Sequence, residues 1–317
     1  MKFHSNGKLL LTGGYLVLEG ATALALPTNL GQSLEVRPSS DPGIRWTSLD
    51  RNNKPWLQAQ FNLVNDQLIE VEKGRIAEEK ESLDPSSSDS KAFQRLQQLL
   101  GIAHRMNPEL LNSTKGLEVI TKLEFDRLWG LGSSSTLVNN LAQWFSIDPY
   151  ELLEQSFGGS GYDIASAQHD HPITYTKNPQ GRSILSAPFD PPFKDQLFFV
   201  HQNHKQDTRL AIAHFRKQSL STLTVAVEKI TSLTQQIIHT KNLQEFEMLL
   251  DVHESVLSGI LNLPKLKVEH FKDYPGSVKS LGGWGGDFFI ATGGNMEKEY
   301  FREKGYHTIL DYTELVR

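Results

Sequence analysis

The chain has 317 residues, more than one compact core usually holds, so two domains are expected. Hydrophobic residues make up 38% and charged residues 22%, which excludes a disordered chain, and no apolar run approaches the roughly 18 residues of a membrane-spanning helix. A formal net charge of −5 gives no global attraction to nucleic acid or acidic membranes, so an anionic ligand must be held locally, and the lack of cysteine excludes disulfides, thiolate nucleophiles and cysteine-ligated metals.

The first 27 residues admit two readings. Lys2 and Lys8, the apolar run Leu9 to Leu18 and the small residues Ala21 and Ala23 have the outline of a secretory signal. Thr12, Gly13 and Gly14 break that run in its middle, however, and Glu19 stands ahead of the supposed cleavage site. The other reading is a buried strand entered by Lys8, a Gly-Gly turn and a second strand, "YLVLE"; a plain β-hairpin with an incidental lysine has the same pattern. "SLEVRP", "GIRWTSL" and "WLQAQFNLV" read as further strands. Residues 72 to 92 are charged and then serine-rich, as in an exposed loop. Beyond them "KAFQRLQQLLGIAHRM" spaces Phe93, Leu96, Leu99, Leu100 and Ala103 at helical intervals, which gives one face to pack on a sheet.

"GLEVITKLEF" alternates as a strand, and "WGLGSSSTLVNNLAQWF" follows it with Leu137, Leu141, Ala142 and Phe145 on one helical face. Gly130 to Ser135 thus lie where a strand gives way to a helix N-terminus. Unpaired N–H groups, a partial positive charge, glycines that admit close approach and serine hydroxyls suit such a stretch to a phosphate. The Lys-[Ser/Thr] ending of the P-loop and the third glycine of the dinucleotide fingerprint are absent, and a structural turn with a serine cap fits the same letters. "GGSGYDIASAQ", Gly158 to Gln168, sets Asp163 at a predicted helix start, either as a cap or as a carboxylate that accepts or orients a hydroxyl proton. His169 and His171 read as a loop pair without metal spacing. Two long amphipathic helical patterns fill residues 204 to 270. "LGGWGGD", Leu281 to Asp287, is a sharp strand connection or a wall against a ligand, and "HTILDYTELV" reads as a closing strand.

In this order, "GKLLLTGGYLVL" (Gly7 to Leu18), "GLGSSS" and "GGWGGD" (Gly282 to Asp287) resemble the three motifs of the galactokinase, homoserine kinase, mevalonate kinase and phosphomevalonate kinase (GHMP) superfamily. Within it the chain is most similar to the phosphomevalonate kinase branch. That branch commonly reads GK-x-LL-x-GGYLVL at the start, GSG-[FY]-D-[VI]-x-x-A around its active-site aspartate, here the GYDIA variant at Gly159 to Ala167, and GGGD at the third motif. Mevalonate kinases more often carry GEHAV, and Gly14 stands where that glutamate would be. Leu128 and Trp129 occupy positions where prolines often precede the cradle, Thr136 stands where alanine is usual, and Trp284 replaces a small residue.

The resemblance implies an α+β, two-domain GHMP kinase fold: an amino-terminal domain like the ribosomal protein S5 second domain and a ferredoxin-like carboxy-terminal domain. The proline-rich "SAPFDPPFKD" at 186 to 195 suggests a boundary near 190, giving an ATP-binding domain 1–190 and a second domain 191–317. The resemblance also implies ATP and Mg²⁺ as cofactors and a small hydroxylated, anionic acceptor, 5-phosphomevalonate first and mevalonate second. A decarboxylating relative and a non-catalytic sensor of the same fold are the alternatives. By resemblance, Gly130, Leu131, Gly132, Ser133, Ser134 and Ser135 would hold the ATP phosphates, with Ser134 and Glu154 toward the metal. Asp163 would accept or orient the acceptor proton, and Lys8 would lower the acceptor pKa and neutralise developing charge. Tyr15, Gly161, Gly283, Gly285, Gly286 and Asp287 would line the acceptor side. His204, Lys205 and Arg209 in "HQNHKQDTR" would meet an acceptor phosphate, or are surface residues at an ordinary helix start. Residues 6 to 27 then belong to the mature fold of a cytoplasmic protein with no nucleic-acid or membrane partner, for which a homodimer is an allowed assembly.

Overall fold

The computed structural model describes residues 1–65, 67–75, 88–112, 115–203, 215–282 and 287–317. They pack as two compact units, each discontinuous in sequence: residues 1–7, 30–127 and 132–168 form one, and residues 8–29, 128–131 and 169–317 the other. Among the described residues no helix is long and apolar enough to cross a membrane.

In the first unit the strands are β1 (Lys2–Leu10, up to Gly7), β2 (Ala23–Pro38, from Leu30), β3 (Gly43–Leu49), β4 (Pro55–Val64), β5 (Gln67–Arg75) and β6 (Gly116–Leu123). They run in the order β5-β4-β3-β6-β2, with β1 on β2. β3 lies parallel to β6 and the other pairs in that order are antiparallel. Alternation sets the buried face: Ile44, Trp46 and Ser48 on β3 and Leu117, Val119 and Thr121 on β6 point the same way. Helices α1 (Ser88–Met106), α2 (Glu109–Asn112), α3 (Ser133–Phe145), α4 (Pro149–Ser156) and α5 (Tyr162–Gln168) complete the unit. Trp46, Phe61, Val119, Leu99, Leu141 and Phe145 share one core, and full burial of such side chains stabilises by about 1.5–3 kcal/mol each. The charged stretch 72–92 splits: strand to Arg75, helix from Ser88, and residues 76–87 outside the described part.

α3 is buried on more than its apolar face. Thr136, Asn139 and Asn140 are each at most 1% exposed, so their polar atoms require partners. Ser5 donates its hydroxyl hydrogen to Asn140 Oδ1 (2.8 Å), and Asn140 Nδ2 donates to the Gln32 carbonyl (2.8 Å). Asn139 Nδ2 donates to Ser5 Oγ (2.8 Å) and accepts at Oδ1 from Gln168 Nε2 (3.0 Å), while Thr136 Oγ1 donates to Gln32 Oε1 (2.7 Å). Directional bonds therefore fix α3 in both rotation and translation against β1, β2 and α5, which hydrophobic burial alone would leave looser.

In the second unit, the start of β2 pairs with β7 (Ile173–Asn178), which pairs with β8 (Gly181–Ser186). A second sheet runs in the order β10 (Val278–Ser280), β11 (Phe288–Thr292), β9 (Leu197–His201), β12 (Ile309–Asp311), antiparallel throughout. Helices α6 (Leu220–His239), α7 (Leu243–Leu261) and α8 (Leu266–His270) come between β9 and β10, and α9 (Asn295–Glu303) between β11 and β12. That order and connectivity are ferredoxin-like. Phe271, Phe289 and Phe301 centre its core. The proline-rich stretch 186–195 lies inside this unit.

One strand expectation fails and another holds only in part. "YLVLE" forms a 3₁₀ turn, Leu16–Glu19, because Leu16 and Val17 N–H bond back to Gly14 and Gly13 carbonyls and both side chains are buried, where a half-exposed strand would alternate. "HTILDYTELV" divides at Asp311, whose N–H donates to the Glu314 carboxylate (3.4 Å); a last helix, α10 (Tyr312–Leu315), then buries Tyr312 and Leu315 at helical spacing. Asn140→Ala should cost more than about 2 kcal/mol in urea unfolding, since it leaves the Ser5 and Gln32 groups without their partner. A change below about 0.5 kcal/mol would contradict the pinning of α3.

Candidate functional site

Within the second unit the glycine-rich stretches meet through their backbones. β1 continues past Lys8, whose N–H donates to the Leu131 carbonyl (2.9 Å), joining the first stretch to the second. At the end of β1 the chain turns at Gly13, with φ +85, where an added Cβ would stand 2.5 Å from Ala23 Cβ. A Cβ on Gly14 would stand 2.9 Å from the Gly282 carbonyl oxygen, so the first stretch packs on the start of the third. Gly130 has φ +64, and a Cβ there would lie 1.5 Å from Asp287 Oδ2. Glycine is thus found where another segment occupies the space of a side chain. Thr12 locks the turn from beneath: its Oγ1 accepts from Leu24 N–H (2.8 Å) and from the Thr234 hydroxyl (2.8 Å).

The segment before the cradle is held by side chains. The Asn203 N–H donates to His201 Nδ1 (3.2 Å), so Nε2 carries the ring proton and donates to the Leu128 carbonyl (3.2 Å). Trp129 meets Phe288 edge to face at 5.9 Å, and His201 meets the same ring at 5.1 Å. Trp129 and His201 thus both hold this segment against Phe288. Tyr15, half-buried at φ +60, rests its ring 5.5 Å from Phe215, and burial pushes its hydroxyl up to about 12, which keeps it a protonated donor at neutral pH.

In the first unit, Gly132 caps α3 in the left-handed conformation, φ +95, with no side chain bonding into the first turn. The first helical N–H to find a carbonyl is that of Thr136, onto Gly132 (2.9 Å), which leaves the amides of Ser133, Ser134 and Ser135 as the donors of an anion cradle. The three hydroxyls differ. Ser134 is exposed and Ser133 half-buried, but Ser135 is buried and donates to the Gly132 carbonyl (2.9 Å), so it offers only its amide outward. Gly158, Gly159 and Gly161, all at positive φ, lead into α5, which packs on α3. There Asp163 is half-buried in the first turn, with Oδ1 accepting the Ile164 N–H (3.1 Å). Glu154 is exposed on α4, and among the described residues no three His, Asp or Glu gather as a cation site. His204, Lys205, Arg209, Gly283, Trp284, Gly285 and Gly286 lie outside the described residues.

A buried polar cluster beneath the first stretch escaped the sequence reading. His253 Nε2 accepts the Gly13 N–H (3.1 Å), and Glu254 accepts from the Ser280 amide and hydroxyl (3.2 and 2.9 Å). The signal was a histidine inside the α7 stripe Phe246, Leu249, Leu250, Leu257, Ile260, where an apolar residue is expected. Gly130→Ala should destabilise the protein by more than the about 1 kcal/mol of a left-handed alanine, and Asp287→Gly should recover part of that loss. Additive effects in the double-mutant cycle would contradict the Gly130–Asp287 contact.

No family profile matches the sequence, and a comparison with curated proteins found no match. Solved structures do match. Mevalonate kinase of L. major, in complex with R-mevalonate, superposes with a TM-score of 0.65 at 16% identity, covering 100% of this chain and 96% of that one. Phosphomevalonate kinase of Streptococcus pneumoniae, in complex with phosphomevalonate and AMPPNP, gives 0.65 at 15% identity over 98% and 99%. Galactokinase of Lactococcus lactis, complexed with galactose, gives 0.58 at 15% identity over 95% and 87%. From end to end, the chain has the two-domain α+β fold of the GHMP kinases.

Proposed function

We propose that the protein is an ATP-dependent kinase of a small hydroxylated, anionic acceptor, with 5-phosphomevalonate the first candidate and mevalonate the second. The observation that carries this reading is the α3 N-terminus, where a left-handed Gly132 opens three uncapped amides in the stretch that resembles the superfamily's phosphate motif. Neighbouring structures named for mevalonate, phosphomevalonate and galactose, one of them holding AMPPNP, fit a nucleotide and a hydroxylated acceptor. Residues 1–190 would supply the nucleotide cradle and residues 191–317 the second domain.

Mg·ATP would bring the γ-phosphoryl group and most of the metal's ligands, as Mg²⁺ commonly keeps its waters and the phosphates and takes one or two protein oxygens. The Ser134 hydroxyl, exposed at the cradle, suits that part; Glu154, exposed on α4, is the second candidate. The amides of Ser133, Ser134 and Ser135, with Gly130, Leu131 and Gly132 before them, would hold the phosphate oxygens. Asp163 takes or orients the proton of the acceptor hydroxyl, and Lys8 places a positive charge where negative charge develops. Tyr15 and Gly161 belong with the acceptor, the tyrosine as a protonated donor. Asp287, whose carboxylate lies against Gly130, would also line the acceptor side. Positioning and electrostatics suffice for phosphoryl transfer, so no covalent intermediate on the protein is required.

Purified protein should form ADP with 5-phosphomevalonate in a panel that also contains mevalonate, homoserine and galactose, without releasing carbon dioxide. Nucleotide binding with no ADP from any acceptor would make the chain a sensor, and carbon dioxide release would make it a decarboxylase. Asp163→Asn should lower turnover by about 10²–10⁴-fold with the KM for ATP nearly unchanged, and activity within about tenfold of wild type would reject the proton-transfer role. Ser134→Ala should shift the magnesium dependence; an unchanged titration would reduce Ser134 to a helix-start residue.

A further inference from the structure

We propose that His253 is a positioning residue for the first glycine stretch: its neutral imidazole, sealed in a buried cluster with Glu254 and Lys279, holds the Gly13 amide and so fixes the segment between Lys8 and Tyr15. This rests on the kinase reading only for its catalytic consequence. The hydrogen bond itself is independent of it.

The geometry leaves Gly13 few alternatives. Its φ of +85 and the contact with Ala23 fix both the backbone conformation and the lack of a side chain, and that conformation aims its N–H into the interior of the second unit. There His253, fully buried on α7, is the acceptor at 3.1 Å. Because Nε2 accepts, the ring proton resides on Nδ1, which finds no hydrogen-bond partner among the described residues. A core position filled for packing alone would hold a leucine, as its neighbours on the stripe do, and would avoid that unsatisfied group.

Burial, and after it the charge of Lys279, set the ring's state. Lys279 on β10 is 3% exposed and donates to the Ser280 carbonyl (2.8 Å); burial brings its ammonium down to about 8. Glu254, next to His253 on α7, is pushed up by burial and accepts from Ser280 and from the Leu266 amide (3.4 Å). Burial and the Lys279 charge both hold His253 well below the usual imidazole range. An imidazolium could not accept the Gly13 proton, so the cluster keeps the acceptor nitrogen available. Lys279 and Ser280 directly precede Leu281 and Gly282, whose carbonyl faces Gly14. The cluster therefore braces the first stretch and the beginning of the third from one side.

The direct test is NMR of the ¹⁵N-labelled wild-type protein. A through-hydrogen-bond coupling between the Gly13 amide and His253 Nε2 is expected, and the Nε2 shift should stay that of a neutral acceptor at about pH 5.5, where an exposed histidine is mostly protonated. No coupling, or an imidazolium shift at that pH, overturns the proposal with no reference to activity. In the kinase assay, His253→Leu should lower kcat/KM for the acceptor by at least about tenfold, change the KM for ATP much less, and speed amide exchange at residues 12–16. His253→Gln, which keeps an acceptor at the same reach, should restore exchange protection and most activity. Equal behaviour of the two variants, or unchanged exchange in His253→Leu, overturns it. If His253→Leu does not fold, the wild-type coupling and the glutamine variant decide. Because the unfolded chain takes up the proton that the folded one refuses, stability should fall as pH drops below about 6.5, and less so in His253→Gln.

Discussion

The amide of Lys8 bonded to the carbonyl of Leu131 is the contact on which the candidate site depends. This one bond joins the first glycine stretch to the start of the second within one unit, one residue in sequence ahead of Gly132. It is a main-chain bond, and it survives most side-chain changes on either segment. The neighbouring approaches obey the same constraint: Gly14 against the Gly282 carbonyl and Gly130 against the Asp287 carboxylate require that no Cβ be present. Backbone that must meet backbone selects glycine, and the glycine stretches are where the chain satisfies that requirement.

Polar groups then hold what the glycines allow to meet. In the first unit, Ser5, Gln32, Thr136, Asn139 and Asn140 bind the cradle helix to two strands, and Gln168 ties the helix of Asp163 to it. In the second unit, Thr12, Thr234 and His253 secure the first turn from below. Each buried polar atom that has a partner is costly to separate from it, so these networks resist small displacements of α3, α5 and the first glycine turn. Thr136 belongs to this group, since its hydroxyl donates to Gln32.

The parts of the fold governed by local rules were legible in the sequence. Strands β3 and β6 and helices α6 and α7 showed their periodicities, and the left-handed positions 13, 130, 132 and 161 carried glycines that announced them. The parts set by distant partners were not. "YLVLE" has the composition of a strand, but the turn at Gly13 and the burial of Leu16 and Val17 wind it into a 3₁₀ helix. The sequence groups Ser135 with Ser133 and Ser134, and nothing in it shows that the Ser135 hydroxyl donates back to the Gly132 carbonyl. His253 is 240 residues from the amide it holds, and no local pattern links the two. The discontinuous units have the same origin, since strands β1 and β2 each run from one unit into the other and no linear boundary in the sequence marks that passage.

Amide exchange with and without a non-hydrolysable ATP analogue and Mg²⁺ tests most directly whether the α3 N-terminus is a phosphate cradle tied to the first strand. The expected result is strong added protection at residues 130–136, accompanied by protection at residues 8–16 through the Lys8–Leu131 bond. Unchanged exchange at 130–136 under saturating nucleotide, or protection confined to segments away from both stretches, would contradict it.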